Sequence, residues 1–181
     1  NLSESSKKYV LSIVENSNYG FFVPYEPNKN TIQYGDNGGA QWTGASVDPY
    51  KNIMYVTANN IPWIVGVQAN QNKDKNKVGL KYTDKTAIPL RDLNGYPGVK
   101  PPWGTLTAIN LNTGKILWQS SLGYYESLKS KGIITGTENF GGATATSGGL
   151  VFAAGTLDKL IRAFDAETGQ ELWSHELPFI G

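Results

Sequence analysis

One internal repeat constrains this chain more than any other feature. Thr107-Ala108-Ile109-Asn110-Leu111-Asn112-Thr113-Gly114-Lys115-Ile116-Leu117-Trp118 aligns without gaps on Arg162-Ala163-Phe164-Asp165-Ala166-Glu167-Thr168-Gly169-Gln170-Glu171-Leu172-Trp173. The offset is about 55 residues, slightly longer than common propeller repeats. The alanine, the Thr-Gly pair and the Leu-Trp pair are identical in both copies. Each copy spells a β-hairpin. A first strand ends at Asn110 or Asp165, whose side chain can bond the backbone of the turn. Glycine then supplies the positive φ that closes a short loop with a bulge. The second strand ends in tryptophan, and the small alanine leaves room for a large ring from a neighbouring unit.

A weaker repeat precedes these hairpins. Gly44-Ala45-Ser46-Val47 leads through Asp48–Asn52 into Ile53-Met54-Tyr55-Val56-Thr57-Ala58, and Gly142-Ala143-Thr144-Ala145-Thr146 leads through Ser147-Gly148-Gly149 into Leu150-Val151-Phe152-Ala153-Ala154. Both read as strand, turn, strand. Joined to the following hairpin, each gives a four-stranded antiparallel unit, the blade of a β-propeller. The expectation is an all-β partial propeller occupying 1–181 as a single domain. One blade spans 40–118 with an insertion over 61–102, and a second spans 140–173. Residues 1–38 are expected to end a preceding blade, and 174–181 to begin the next connection.

Composition narrows the functions. A formal charge of +1 argues against nucleic acid as a partner. The absence of cysteine excludes disulfides, thiolate zinc sites and haem attached through Cys-x-x-Cys-His. No apolar run is long enough to span a bilayer, and Asn1-Leu2-Ser3-Glu4 is not a signal peptide.

The stretch Ala-x-Asp-x-x-Thr-Gly-x-x-x-Trp resembles the tryptophan-docking motif of quinoproteins, eight-bladed propellers that bind pyrroloquinoline quinone (PQQ). Three further segments are similar to the dehydrogenases of that family, and the similarity runs from about Phe21 to Gly181. The first joins Gly38-Gly39-Ala40-Gln41-Trp42-Thr43-Gly44-Ala45 to Tyr55-Val56-Thr57-Ala58-Asn59-Asn60-Ile61-Pro62-Trp63. The second is Pro101-Pro102-Trp103-Gly104-Thr105-Leu106-Thr107-Ala108, which resembles glucose-dehydrogenase-like members. The third is Thr137-Glu138-Asn139-Phe140-Gly141-Gly142.

The resemblance implies a C-terminal portion of a periplasmic dehydrogenase that oxidises an aldose such as glucose, or an alcohol. Calcium-bound PQQ carries the redox chemistry and electrons pass to a quinone or other external acceptor. Any membrane association would lie in parts outside this chain. The catalytic aspartate and the calcium ligands are implied to lie in more N-terminal blades, so no catalytic or metal-binding residue is assigned here. The isolated chain is expected to be inactive. Its partners are the remaining blades, and self-association through its end blades is a further expectation.

The resemblance also implies which residues face the cofactor. Asn59 aligns with a family asparagine at the quinone edge, where an amide offers both donor and acceptor; a turn asparagine is the alternative, and Asn60 the rival position. Phe140 stands where alcohol-oxidising members carry tryptophan, so it has no indole N–H to offer. Trp103 and Trp42 either wall the pocket or pack structurally. Asp158, Lys159 and Arg162 read as a solvated strand edge, and His175 as an exposed residue late in a strand. The lysine-rich run Asn70–Lys77 reads as a solvated loop, or as a dock for an acidic electron acceptor or an anionic surface. Two other functions fit the same residues: a non-catalytic propeller scaffold, and a carbohydrate-binding module stacking sugars on Trp42, Trp63 and Trp103.

Overall fold

The computed structural model describes residues 3–20, 22–34, 38–70 and 80–180. In chain order they form α1 (Glu4–Glu15), β1 (Asn18–Tyr19), β2 (Asn30–Gln33), β3 (Gly39–Ala40), β4 (Ser46–Asp48), β5 (Ile53–Asn59) and β6 (Trp63–Ala69). There follow β7 (Tyr82–Pro89), β8 (Gly104–Asn110), β9 (Lys115–Ser121), α2 (Glu126–Lys129), β10 (Ala143–Ala145), β11 (Leu150–Ala153), β12 (Leu160–Asp165) and β13 (Glu171–Glu176). The run Asn70–Lys77 lies almost wholly outside the described residues.

These elements divide into two compact units, 1–37 with 61–100, and 38–60 with 101–181. The second unit holds both expected blades. β10-β11-β12-β13 is an antiparallel four-stranded sheet, and β3-β5-β8-β9 is its counterpart, with β4 also pairing β5. The hairpin repeat is reproduced in register: Ala108 pairs Trp118 and Ala163 pairs Trp173. A bulge follows each alanine, at Ala108/Ile109 and at Ala163/Phe164. Along β5 burial alternates strictly, as period-2 side chains require when one face is covered. Ile53, Tyr55, Leu106, Ala108, Val151, Phe164 and Ala166 meet in one core, drawn from both sheets.

One joint closes that core. The Trp118 indole N–H donates to the Ala166 carbonyl (3.1 Å), and its ring lies against Tyr55 at 5.9 Å. The Tyr55 hydroxyl donates to the same carbonyl (3.2 Å), and the Ser120 hydroxyl to the Gly169 carbonyl (2.6 Å). Gly169 has φ +72°, and a Cβ there would run into the Trp118 ring. Glycine is thus required twice over, for the turn and for the ring.

The first unit is its own sheet, β1-β2-β6-β7. Residues expected to end a preceding blade instead pair with the insertion: β2 runs antiparallel to β6 through Ile32 and Ile64. They also contain α1, a helix that strand-and-turn patterning does not anticipate. Its N-cap Ser3 accepts the Ser6 N–H, and Glu4 sits favourably at the positive end of the helix dipole. No helix of the described residues is long and apolar enough to cross a membrane.

Gly169→Ala adds both strain and a clash, whereas Gly114→Ala, at φ +69° with open space around it, adds strain alone. Urea denaturation should show the first to be destabilised by about 3 kcal/mol and the second by about 1 kcal/mol.

Candidate functional site

The chemistry-bearing segments of the second unit converge on one end of its sheets. β5 finishes at Asn59, which pairs with Gly39 on one side and Gly104 on the other. The segment 135–141 is stitched across this end. The Trp103 N–H donates to the Thr135 carbonyl, Thr137 to Leu122, and Phe140 to Gly155. Gly104 is obligatory here because a Cβ would strike the Thr137 carbonyl oxygen.

Asn59 is buried and its amide is already engaged. Its Oδ1 accepts from the Asn139 backbone N–H (3.0 Å) and from Asn139 Nδ2 (2.8 Å), while its Nδ2 donates to the Asn139 carbonyl (2.9 Å). Asn139 also donates to the Ala58 carbonyl (3.1 Å), and its own Oδ1 is a buried acceptor with no partner. Asn139 was not singled out from the sequence; its only signal was its place beside Phe140. The pair ties β5 to the 135–141 segment, and Thr57 reinforces it by donating to the Gly141 carbonyl (2.7 Å).

The other candidates separate into buried and presented residues. Trp103 is 3% exposed and packs edge-on against Tyr125 at 5.5 Å. It builds the core and cannot offer a face to a sugar. Asn60 is exposed, held by its own N–H to the Trp103 carbonyl (2.8 Å) with a long side-chain bond to Pro102. Trp42 is 90% exposed and Phe140 42%. The backbone just after Trp42, at Thr43 and Gly44, lies against Gly142, two residues beyond Phe140. Asn60, Trp42 and Phe140 are thus each exposed, one amide and two aromatic side chains.

Asp158 and Arg162 are not a solvated edge. Their side chains are nearly inaccessible and form an ion pair between Asp158 Oδ2 and Arg162 Nη2. Arg162 also donates to Thr156 Oγ1 (3.1 Å) and to Glu171 (3.1 Å), and Asp158 accepts the Tyr124 N–H (3.0 Å). Arg162 lies in a run of three buried residues on β12, Arg162–Phe164, and enough partners surround it to compensate its desolvation. Burial pushes the Asp158 carboxyl up, but hydrogen bonds from Arg162 and Thr156 outweigh burial and hold it below its ordinary value. Lys159 stays exposed in a turn, and His175 is exposed on β13. Among the described residues, no group of three or more His, Cys, Asp or Glu could hold a metal ion.

Residues 2–181 match the family model described as PQQ glucose/ethanol/alcohol dehydrogenase, beta-propeller domain. The chain belongs to the PQQ-dependent quinoprotein dehydrogenase family. It is 34% identical over 165 residues to the probable quinate dehydrogenase (quinone) of Xanthomonas campestris pv. juglandis, covering 80% of this chain and 21% of that protein. It is 32% identical over 202 residues to the glycerol dehydrogenase large subunit of Gluconobacter oxydans (strain 621H), covering 90% of this chain and 26% of the relative. The chain thus spans about a fifth to a quarter of the length of these quinoproteins. A europium-containing methanol dehydrogenase shares its fold, with a TM-score of 0.57 and 21% identity over 84% of this chain and 23% of that one.

Asp158→Asn leaves Arg162 buried beside a neutral amide, at an expected cost of about 3–5 kcal/mol at neutral pH. Because the folded carboxyl titrates lower than the unfolded one, its stabilisation is present above the unfolded value and is lost as pH falls through the folded value. Urea denaturation of both proteins should show the deficit at pH 7 shrinking below about pH 4.

Proposed function

We propose that this chain forms part of the PQQ pocket of a longer dehydrogenase that oxidises a polyhydroxylated substrate, such as a polyol, a cyclic hydroxy acid or an aldose. The observation that carries this is that Asn60 and Phe140 are exposed directly after the buried Asn59–Asn139 pair, with Trp42 exposed as well. The residues fit one wall of a flat, polar-edged cofactor. Trp42 and Phe140 offer faces for ring contact and exclude water, and Asn60 offers a donor and an acceptor to an edge group. Asn59 fixes the level of that wall, since its own amide is spent on Asn139. Phe140 has no N–H and contributes a face alone.

When bound with a divalent ion such as calcium, PQQ supplies two-electron oxidation of the substrate's alcohol. The ion ligands and the base that takes the hydroxyl proton are proposed to lie in parts of the protein outside this chain. Electrons leave to a quinone or another external acceptor. A periplasmic location suits that acceptor, with any membrane attachment made elsewhere in the protein.

The test uses the whole protein of which this chain is part. With PQQ and calcium it should reduce a dye in the presence of at least one of quinate, glycerol and glucose, while the isolated chain should not. Phe140→Ala and Asn60→Ala should each weaken PQQ retention by about tenfold, or roughly 1.4 kcal/mol. Turnover without PQQ, or cofactor retention unchanged by both substitutions, contradicts the proposal.

A further inference from the structure

Phe140 stands between two tethers. On one side the preceding residue, Asn139, is tied to the end of β5 by its amide exchange with Asn59. On the other side lies the turn 154–159, which joins β11 to β12. There the Gly155 carbonyl takes the Phe140 N–H (3.0 Å), and Thr156 forms an antiparallel bridge with Asn139. The Leu157 N–H donates to Thr137 Oγ1 (3.2 Å). Thr137, Asn139 and Thr156 are all fully buried. Gly123 shows how closely these segments approach: a Cβ on it would lie 2.6 Å from Thr137 Oγ1 and 3.0 Å from Thr156 Cβ.

The turn owes its shape to the buried Asp158–Arg162 pair. Thr156 Oγ1 donates to Asp158 Oδ1 (2.5 Å) and accepts from Arg162 Nη1 (3.1 Å), so one hydroxyl links both charges to the residue opposite Asn139. Asp158 Oδ1 also accepts the Leu160 N–H (3.3 Å), and Oδ2 accepts the Tyr124 N–H (3.0 Å). Charge-assisted hydrogen bonds are directional and stronger than neutral ones, so they hold the turn at one height against the 135–141 segment. Apolar burial alone would let it slide.

We infer that Asp158, Arg162 and Thr156 are positioning residues for the cofactor wall, fixing the Gly155 carbonyl and, through it, the Phe140 ring. This role rests on Phe140 being a wall of the PQQ pocket, as proposed. The side chains of Asp158 and Arg162 are nearly inaccessible and Thr156 is fully buried, so their effect on a ligand passes through the residues they hold. A ring held in place before the cofactor arrives spares the cost of ordering it on binding. Loosening the turn therefore weakens cofactor binding without removing a group that touches the cofactor.

The test is PQQ affinity, measured with calcium for the whole protein and its variants, beside urea denaturation of each. Thr156→Val keeps the side-chain shape but removes the hydroxyl, and should weaken PQQ binding about tenfold. Thr156→Ser, which keeps the hydroxyl, should recover most of that affinity. In a Phe140→Ala background Thr156→Val should cost no further affinity, because the ring it positions is gone. Thr137→Val removes the acceptor of the Leu157 N–H and should follow the same pattern, whatever the stability of the Thr156 variants. In the PQQ-free protein the Phe140 amide should exchange its hydrogen about tenfold faster in Thr156→Val than in the wild type. Equal losses of affinity with and without the Phe140 ring would mark a merely structural role and overturn the inference, as would unchanged affinity or unchanged exchange in Thr156→Val. Phe140→Ala binding PQQ as tightly as the wild type overturns the pocket reading itself. Affinity lost in Phe140→Ala but kept in Thr156→Val overturns the positioning role alone.

Discussion

The second unit depends on one contact, the Trp118 indole seated on the turn 165–169. Two antiparallel sheets facing each other could slide, because apolar burial is non-directional. The indole removes that freedom. Its N–H fixes the ring to one carbonyl, and the missing side chain of Gly169 admits the ring to one depth. Tyr55 and Ser120 add hydrogen bonds to the same turn. The Lys51–Glu167 pair, exposed on both sides, contributes little beyond them.

With that register fixed, the far end of the sheets can present a surface. The path of 135–141 is held by backbone bonds to Trp103, Leu122 and Gly155, and by the Asn59–Asn139 amide exchange. Such a buried polar pair is costly unless satisfied, and it is satisfied on all but one atom, Asn139 Oδ1. The consequence is a division of labour. Asn59, Asn139 and Trp103 are spent on structure, and this leaves Asn60, Trp42 and Phe140 turned outward.

Much of this was legible in the sequence because repeats carry geometry with them. The Thr-Gly pairs, the alanines and the tryptophans carried the hairpins and the equivalence of the two sheets, whereas the bulge expected at the glycine loop lies beside each alanine. The role of Asn59 was not legible, because its partner lies 80 residues away and an asparagine beside a strand end looks the same whether its amide is free or spent. Charge alone suggests solvent for Asp158 and Arg162, and strand alternation would not have corrected it, since Arg162, Ala163 and Phe164 are buried in succession on β12. The pairing of β2 with β6 joins two segments without a repeat or a shared motif, so no local signal announced it.

The most direct measurement is a structure of the whole protein with PQQ bound. Phe140 and Asn60 should then lie within about 4 Å of the cofactor, with Asn59 still bonded to Asn139 and out of reach. A cofactor contacted by Asn59 itself, or bound without touching Phe140, Asn60 or Trp42, would contradict the division between structural and presented residues.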